Sequence, residues 1–125
     1  MKLRFTLSII YCFLTFLSCQ NQQIDQPIVC TEVFIQGLHI TLVDAASSEI
    51  ITEDVTITAT DGNFKETLKR IETQTSFSGA GERAGTYTLT ITSSNYKTFV
   101  SNPIVVSADE CHVMTEFREF KLQAK

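Results

Sequence analysis

The chain has 125 residues, of which 43% are hydrophobic and 19% charged, and carries a formal net charge of −4. That length suits a single domain. The acidic balance leaves no basic surface to draw nucleic acid or anionic lipid, and no repeat, zinc-ligand cluster or nucleic-acid motif appears.

Lys2 and Arg4 form a short positive start, an apolar run follows from Phe5 to Leu17, and Ser18-Cys19 closes it. This is the layout of a secretory signal. The run is too short for a membrane-spanning helix, which needs roughly 20 apolar residues. The stretch Phe16-Leu17-Ser18-Cys19 resembles the lipobox of bacterial lipoproteins, in which the cysteine thiol is lipidated and the chain is cut just before it. The resemblance implies a signal peptide over 1–18, palmitate on Cys19 and attachment to the bacterial cell envelope, as an outer-membrane lipoprotein. Residues 19–28 are polar and end near Pro27, as a tether between membrane and domain would be. Residues 29–125 are the expected domain. Loss of Lys2 and Arg4 with the signal takes the formal charge from −4 to −6.

Of the four cysteines, Cys12 leaves with the signal and Cys19 carries lipid. Cys30 and Cys111 remain. In an exported protein an even remainder suggests a disulfide, and only one intramolecular pairing is possible. The alternative is two free, buried thiols.

The domain reads as strands and turns, with abundant threonine and period-two alternation. Cys30–Val43 is a first long strand or pair, with Leu38, Ile40 and Leu42 on one face and His39, Thr41 and Val43 on the other. Gly37 marks a bulge or bend there. Asp44–Ser48 is a turn. Val55–Thr60 is a clean strand with Val55, Ile57 and Ala59 inward. Asp61-Gly62 is the strongest hairpin signal. Phe64–Ile71 fits a helical stripe through Phe64, Leu68 and Ile71, but it is short for a helix and reads better as a strand or edge segment. A glycine-rich loop over Gly79–Gly85 opens into Thr86–Ser93, where Tyr87, Leu89 and Ile91 oppose a row of threonines. Asn95–Ser101, Ile104–Ser107 and His112–Leu122 follow as strands. Alternation slips within the last, which predicts a β-bulge near Phe117–Glu119. The fold class is therefore all-β, an antiparallel two-sheet sandwich of about seven strands.

The segment Gly79–Thr115 joins a Gly-Glu-Arg glycine loop, Gly85-Thr86-Tyr87, Asn95-Tyr96 and Asp109-Glu110-Cys111-His112-Val113, with Val55–Gly62 upstream. In this order and spacing it resembles the carboxypeptidase regulatory-like (transthyretin-like, prealbumin-like) domains of bacterial lipoproteins, over about 40–122. The resemblance implies a transthyretin-like or Ig-like sandwich that is non-catalytic. Relatives with the Asp-Glu-Cys-His motif often place a second cysteine near the position of Glu53; this chain has none there, and Cys30 stands in as the candidate partner. The motif residues have structural roles to fill. Gly79, Gly81 and Gly85 would permit positive φ and tight turning. Tyr87 and Tyr96 would bury their rings and seek hydroxyl partners. Arg83 would pair with Glu82, Asp109 or Glu110, or stay solvated.

Catalysis needs a positioned pair of groups, and the two histidines do not supply one. His39 lies on the face away from the core, as a surface residue. His112 follows Cys111, but neighbouring strand residues point to opposite faces and a disulfide would consume the thiolate; His112 instead packs or hydrogen-bonds at its strand start. Gly79–Gly85 lacks the lysine and hydroxyl of a P-loop and leads into a strand. The acids Glu49, Glu53 and Asp54, and Asp109 and Glu110, lack calcium-loop spacing and read as a solvated rim. Phe64, Phe77 and Phe99 are candidates for a small exposed patch. The expected function is non-catalytic and cofactor-free: an envelope-anchored module, structural or binding to a protein or glycan, with no nucleic acid. The alternative is an accessory subunit of an envelope enzyme or transport complex.

Overall fold

A computed structural model describes residues 26–125. The signal segment 1–18, Cys12, the lipidation candidate Cys19 and the tether up to residue 25 lie outside the described residues. Gln26–Ile35 carries no strand, and Gln26, Pro27 and Ile28 are exposed.

Nine strands follow in chain order: β1 (Gln36–Asp44), β2 (Val55–Asp61), β3 (Phe64–Thr67), β4 (Lys69–Arg70), β5 (Ser76–Gly81), β6 (Gly85–Ser93), β7 (Phe99–Val100), β8 (Ile104–Val106) and β9 (Glu116–Leu122). No helix forms among the described residues. One sheet runs β4-β5-β1-β9; the other runs β3-β2-β6-β7, with β8 also paired to β6. β4 and β7 have only two residues each, so seven longer strands make the sandwich. Every named pair is antiparallel except β1–β9, which is parallel from Leu38↔Glu116 to Asp44↔Leu122.

The core lies between the sheets. Alternation places Leu38, Ile40 and Leu42 of β1, Ile57 and Ala59 of β2, Tyr87, Leu89 and Ile91 of β6 and Leu122 of β9 in it. β6 pairs with β2 on one side and with both β7 and β8 on the other. Ser101 caps this arrangement: its hydroxyl accepts the Leu89 amide at 2.9 Å while its own amide donates to the Leu89 carbonyl at 2.9 Å.

The ambiguous segment resolves as two strands in different sheets. β3 pairs with β2, β4 pairs with β5, and Leu68 between them drops into the core. The helical spacing thus reflects a chain that crosses layers. Phe64 packs against the core, whereas Ile71 lies exposed.

Several local expectations are corrected. The first strand begins at Gln36, six residues beyond Cys30. Gly37 makes no bulge, since Gln36↔Gly81 and Leu38↔Gly79 are in regular register. A Cβ there would sit 2.7 Å from the Ala80 carbonyl oxygen and 2.9 Å from Val106 Cγ1, so close approach explains the glycine. The hairpin expected from Asp61-Gly62 does form between β2 and β3, with Gly62-Asn63 as its two turn residues because Asp61 pairs with Phe64. Gly62 carries the positive φ of 57°, as the first position of a type II′ turn requires. The last strand starts at Glu116, and its unbroken register leaves no bulge at Phe117–Glu119. Phe117 faces outward, and that outward ring mimicked a register slip.

The glycine loop is also shorter than expected. Gly79, Ala80 and Gly81 belong to β5, and only Glu82–Ala84 connects it to β6. Positive φ falls on Ala80 (54°) and Glu82 (47°), not on Gly79, Gly81 or Gly85. Those glycines make room for neighbours: Leu68 beside Gly79, the Phe34 ring beside Gly81 and the Asp61 carboxylate beside Gly85.

Candidate functional site

The motif residues other than Tyr96 converge on the β5–β6 connection, and their chemistry is spent internally. Tyr87 is fully buried, and its hydroxyl donates to the Arg83 carbonyl at 2.8 Å. Arg83 Nη1 donates to the same hydroxyl at 2.8 Å and to Asp61 Oδ2 at 2.7 Å. The guanidinium lies 4.1 Å from the Phe64 ring centroid. The hydrogen bond to Tyr87, then that to Asp61, raises the Arg83 pKa further above its ordinary value. Arg83 therefore pairs with neither Glu82, Asp109 nor Glu110. Glu82 faces the incoming segment, while Asp61 on the β2 hairpin end is next to Gly85, where the absence of a Cβ lets its carboxylate approach.

Glu82 and His112 form a second knot. Glu82 Oε1 accepts the Ile35 amide at 2.7 Å, and the Glu82 amide donates to the Ile35 carbonyl at 2.9 Å. His112 Nδ1 donates to Glu82 Oε1 at 3.0 Å, and its Nε2 lies 3.1 Å from the Thr31 hydroxyl. The Ile35 amide, with the His112 contact behind it, holds the Glu82 carboxyl below its ordinary pKa. Asp109 Oδ1 accepts the amides of Cys111 and His112, each at 2.8 Å, which lowers its own pKa and shapes the loop.

Beside this knot Cys30 and Cys111 form a disulfide with Cα atoms 5.3 Å apart. Bridge and knot together clamp the strandless entry segment 30–35 to the loop before β9. Tyr96 is partly buried at the far end, where residue 96 bridges to Ala124. Burial, then its hydrogen bond to Asp44, raises the Tyr96 pKa.

Among the described residues no three His, Cys, Asp or Glu side chains gather in a metal-holding arrangement. His39 is half-buried on the outer face of the four-stranded sheet, with Nε2 2.5 Å from the Ser76 hydroxyl and Nδ1 3.4 Å from that of Ser78.

An open concavity lies on this same outer face. It has a volume of about 620 Å³ and is bordered by Phe34, Gln36, His39, Ile71, Gln74 and Phe117. Phe34 is 66% exposed and Phe117 67% exposed. Neither ring belongs to the expected patch: Phe77 is buried, and Phe64 and Phe99 pack against the core. Phe117 was legible only through the break in alternation, and Phe34 carried no signal because its segment reads as strand.

No family model matches this sequence, and no curated protein matches it either. Sheet order, layer packing and size define the class: an all-β, two-sheet sandwich of broadly immunoglobulin-like or transthyretin-like type.

Proposed function

We propose that the chain is a non-catalytic binding module of the bacterial cell envelope, held to the membrane by lipid on Cys19. The observation that carries this reading is the disulfide Cys30–Cys111, a bond that persists in oxidising compartments outside the cytoplasm. It fits the export signal and the Phe16–Cys19 lipobox-like end. About ten residues separate Cys19 from the clamped Cys30, so the domain would stay within roughly 35 Å of its anchor. The binding half of the reading rests on how the polar groups are used. Arg83, Glu82, His112 and Asp61 stabilise the fold, whereas two large rings stay in water beside a concavity.

Labelled palmitate should enter the full-length protein in bacteria and the label should vanish in Cys19→Ala, with the variant released from membranes. Unchanged labelling and membrane retention in that variant would end the anchoring half. A photo-crosslinking residue at position 117 of the anchored protein should capture an envelope component. An accessory-subunit role would show as one stoichiometric protein partner.

A further inference from the structure

We propose that the outer-face groove binds a neutral glycan chain, with Phe34 and Phe117 as stacking platforms and Gln36, Lys69 and Gln74 as hydroxyl-recognising groups; this rests on the binding-module reading.

The groove crosses the outer face of the β4-β5-β1-β9 sheet, from Lys69 on β4 to Phe117 on β9. A sheet face offers a ligand no backbone donors or acceptors, because those are used in the ladders. An extended peptide recognised by strand addition needs an unpaired edge. A ligand lying over these strands is therefore read mainly by side chains.

The side chains present divide into spent and unspent groups. His39 is engaged with Ser76 and Ser78, Glu66 Oε2 accepts the Ala80 amide at 2.7 Å, and the Thr115 hydroxyl donates to the Gln36 carbonyl at 2.8 Å. The side chains of Gln36, Lys69 and Gln74 have no hydrogen-bond partner among the described residues. Two amides, each with donors and an acceptor, suit vicinal hydroxyls, which also both donate and accept. Glu66 and Lys69 balance in charge, so the groove does not repeat the net acidity of the chain and selects an uncharged ligand.

The rings supply the apolar part. A pyranose presents one face of C–H bonds, whose weakly positive hydrogens fit the negative face of an aromatic ring. Burying that face also removes apolar area from water. Phe34 is braced from behind, since its ring occupies the space beside Gly81 that a Cβ would fill. Phe117 packs against His39 in a tilted arrangement, with ring centroids 5.0 Å apart and planes at 46°. Both platforms are therefore held in place while remaining open to solvent, which limits the entropy lost on binding. The groove's 620 Å³ falls within the range of about 300–1,000 Å³ usual for small-ligand sites, enough for a short stretch of chain.

The test uses the full chain in detergent, titrated with neutral hexasaccharides of glucose, xylose, mannose and N-acetylglucosamine. Aromatic NMR signals of Phe34 and Phe117 should shift with at least one of them. Phe117→Ala should lower that affinity about tenfold. Gln74→Ala should weaken it without disturbing the fold, and Val105→Ala on the other sheet should leave it unchanged. The proposal is overturned if none of the four sugars moves the ring signals, or if affinity survives Phe117→Ala. A protein crosslinked from position 117 with no sugar response would sink the glycan assignment and keep the binding module. Neither sugar response nor any crosslink would sink both.

Discussion

Loss of the Cys30–Cys111 bridge is the perturbation with the largest expected effect. The two cysteines are 81 residues apart in sequence. On the chain-entropy model, a closed loop of that length contributes about 4.5 kcal/mol by restricting the unfolded chain. The native side subtracts little. Cys30 is exposed and lies in a strandless segment, so its removal leaves no cavity in the core. Fraying of that segment would recover some chain entropy, but the Ile35–Glu82 and Thr31–His112 contacts oppose fraying. The net loss is therefore expected at about 3–4.5 kcal/mol, which lowers the melting temperature of a domain this size by roughly 15–25 °C. The assay is thermal and urea unfolding of the Cys30→Ser/Cys111→Ser double variant beside the oxidised protein, followed by far-UV circular dichroism. The native strand spectrum should be retained, and the urea m-value should rise because the unfolded chain expands. A melting temperature lowered by less than about 5 °C would refute the reasoning.

Gly37→Ala should destabilise by about 1–3 kcal/mol in urea unfolding, because the new Cβ would meet the Ala80 carbonyl oxygen at 2.7 Å. An unchanged midpoint would remove the close-approach explanation. Tyr87→Phe keeps the buried ring but leaves the Arg83 carbonyl and guanidinium short of a partner, with an expected cost of about 1–2 kcal/mol. The pH dependence follows from Glu82, whose folded-state pKa lies below its ordinary 4.5. The ionised carboxylate is the form favoured by folding, so its contribution is present above 4.5 and fades as pH falls through the lower folded value. Urea midpoints should decline on acidification below 4.5 in the wild type and decline less steeply in Glu82→Gln. Parallel slopes for the two proteins would show that Glu82 does not contribute.

Sequence alone determined the fold class and most of its core. Alternation at Leu38–Leu42, Val55–Ala59 and Tyr87–Ile91 carries the in-and-out pattern of a pleated sheet, because each residue turns the side chain to the other face. The cysteine count left Cys30 and Cys111 to find each other. The hydroxyl of Tyr87 was expected to need a partner, because a buried phenol without one is costly.

What alternation does not encode is which strand lies beside which, or which outward ring meets which. The parallel β1–β9 pairing joins strands about 80 residues apart, and no local pattern states it. It places Phe117 next to His39 on the outer face, while the entry segment brings Phe34 to the same groove. Arg83, on the β5–β6 connection, likewise found Asp61 at the end of β2 and not the acids nearest in sequence or motif. The reason is physical: period-two burial is local and repeats along one strand, whereas a site on the face of a sheet is assembled across strands, by a register that only the packed tertiary structure decides.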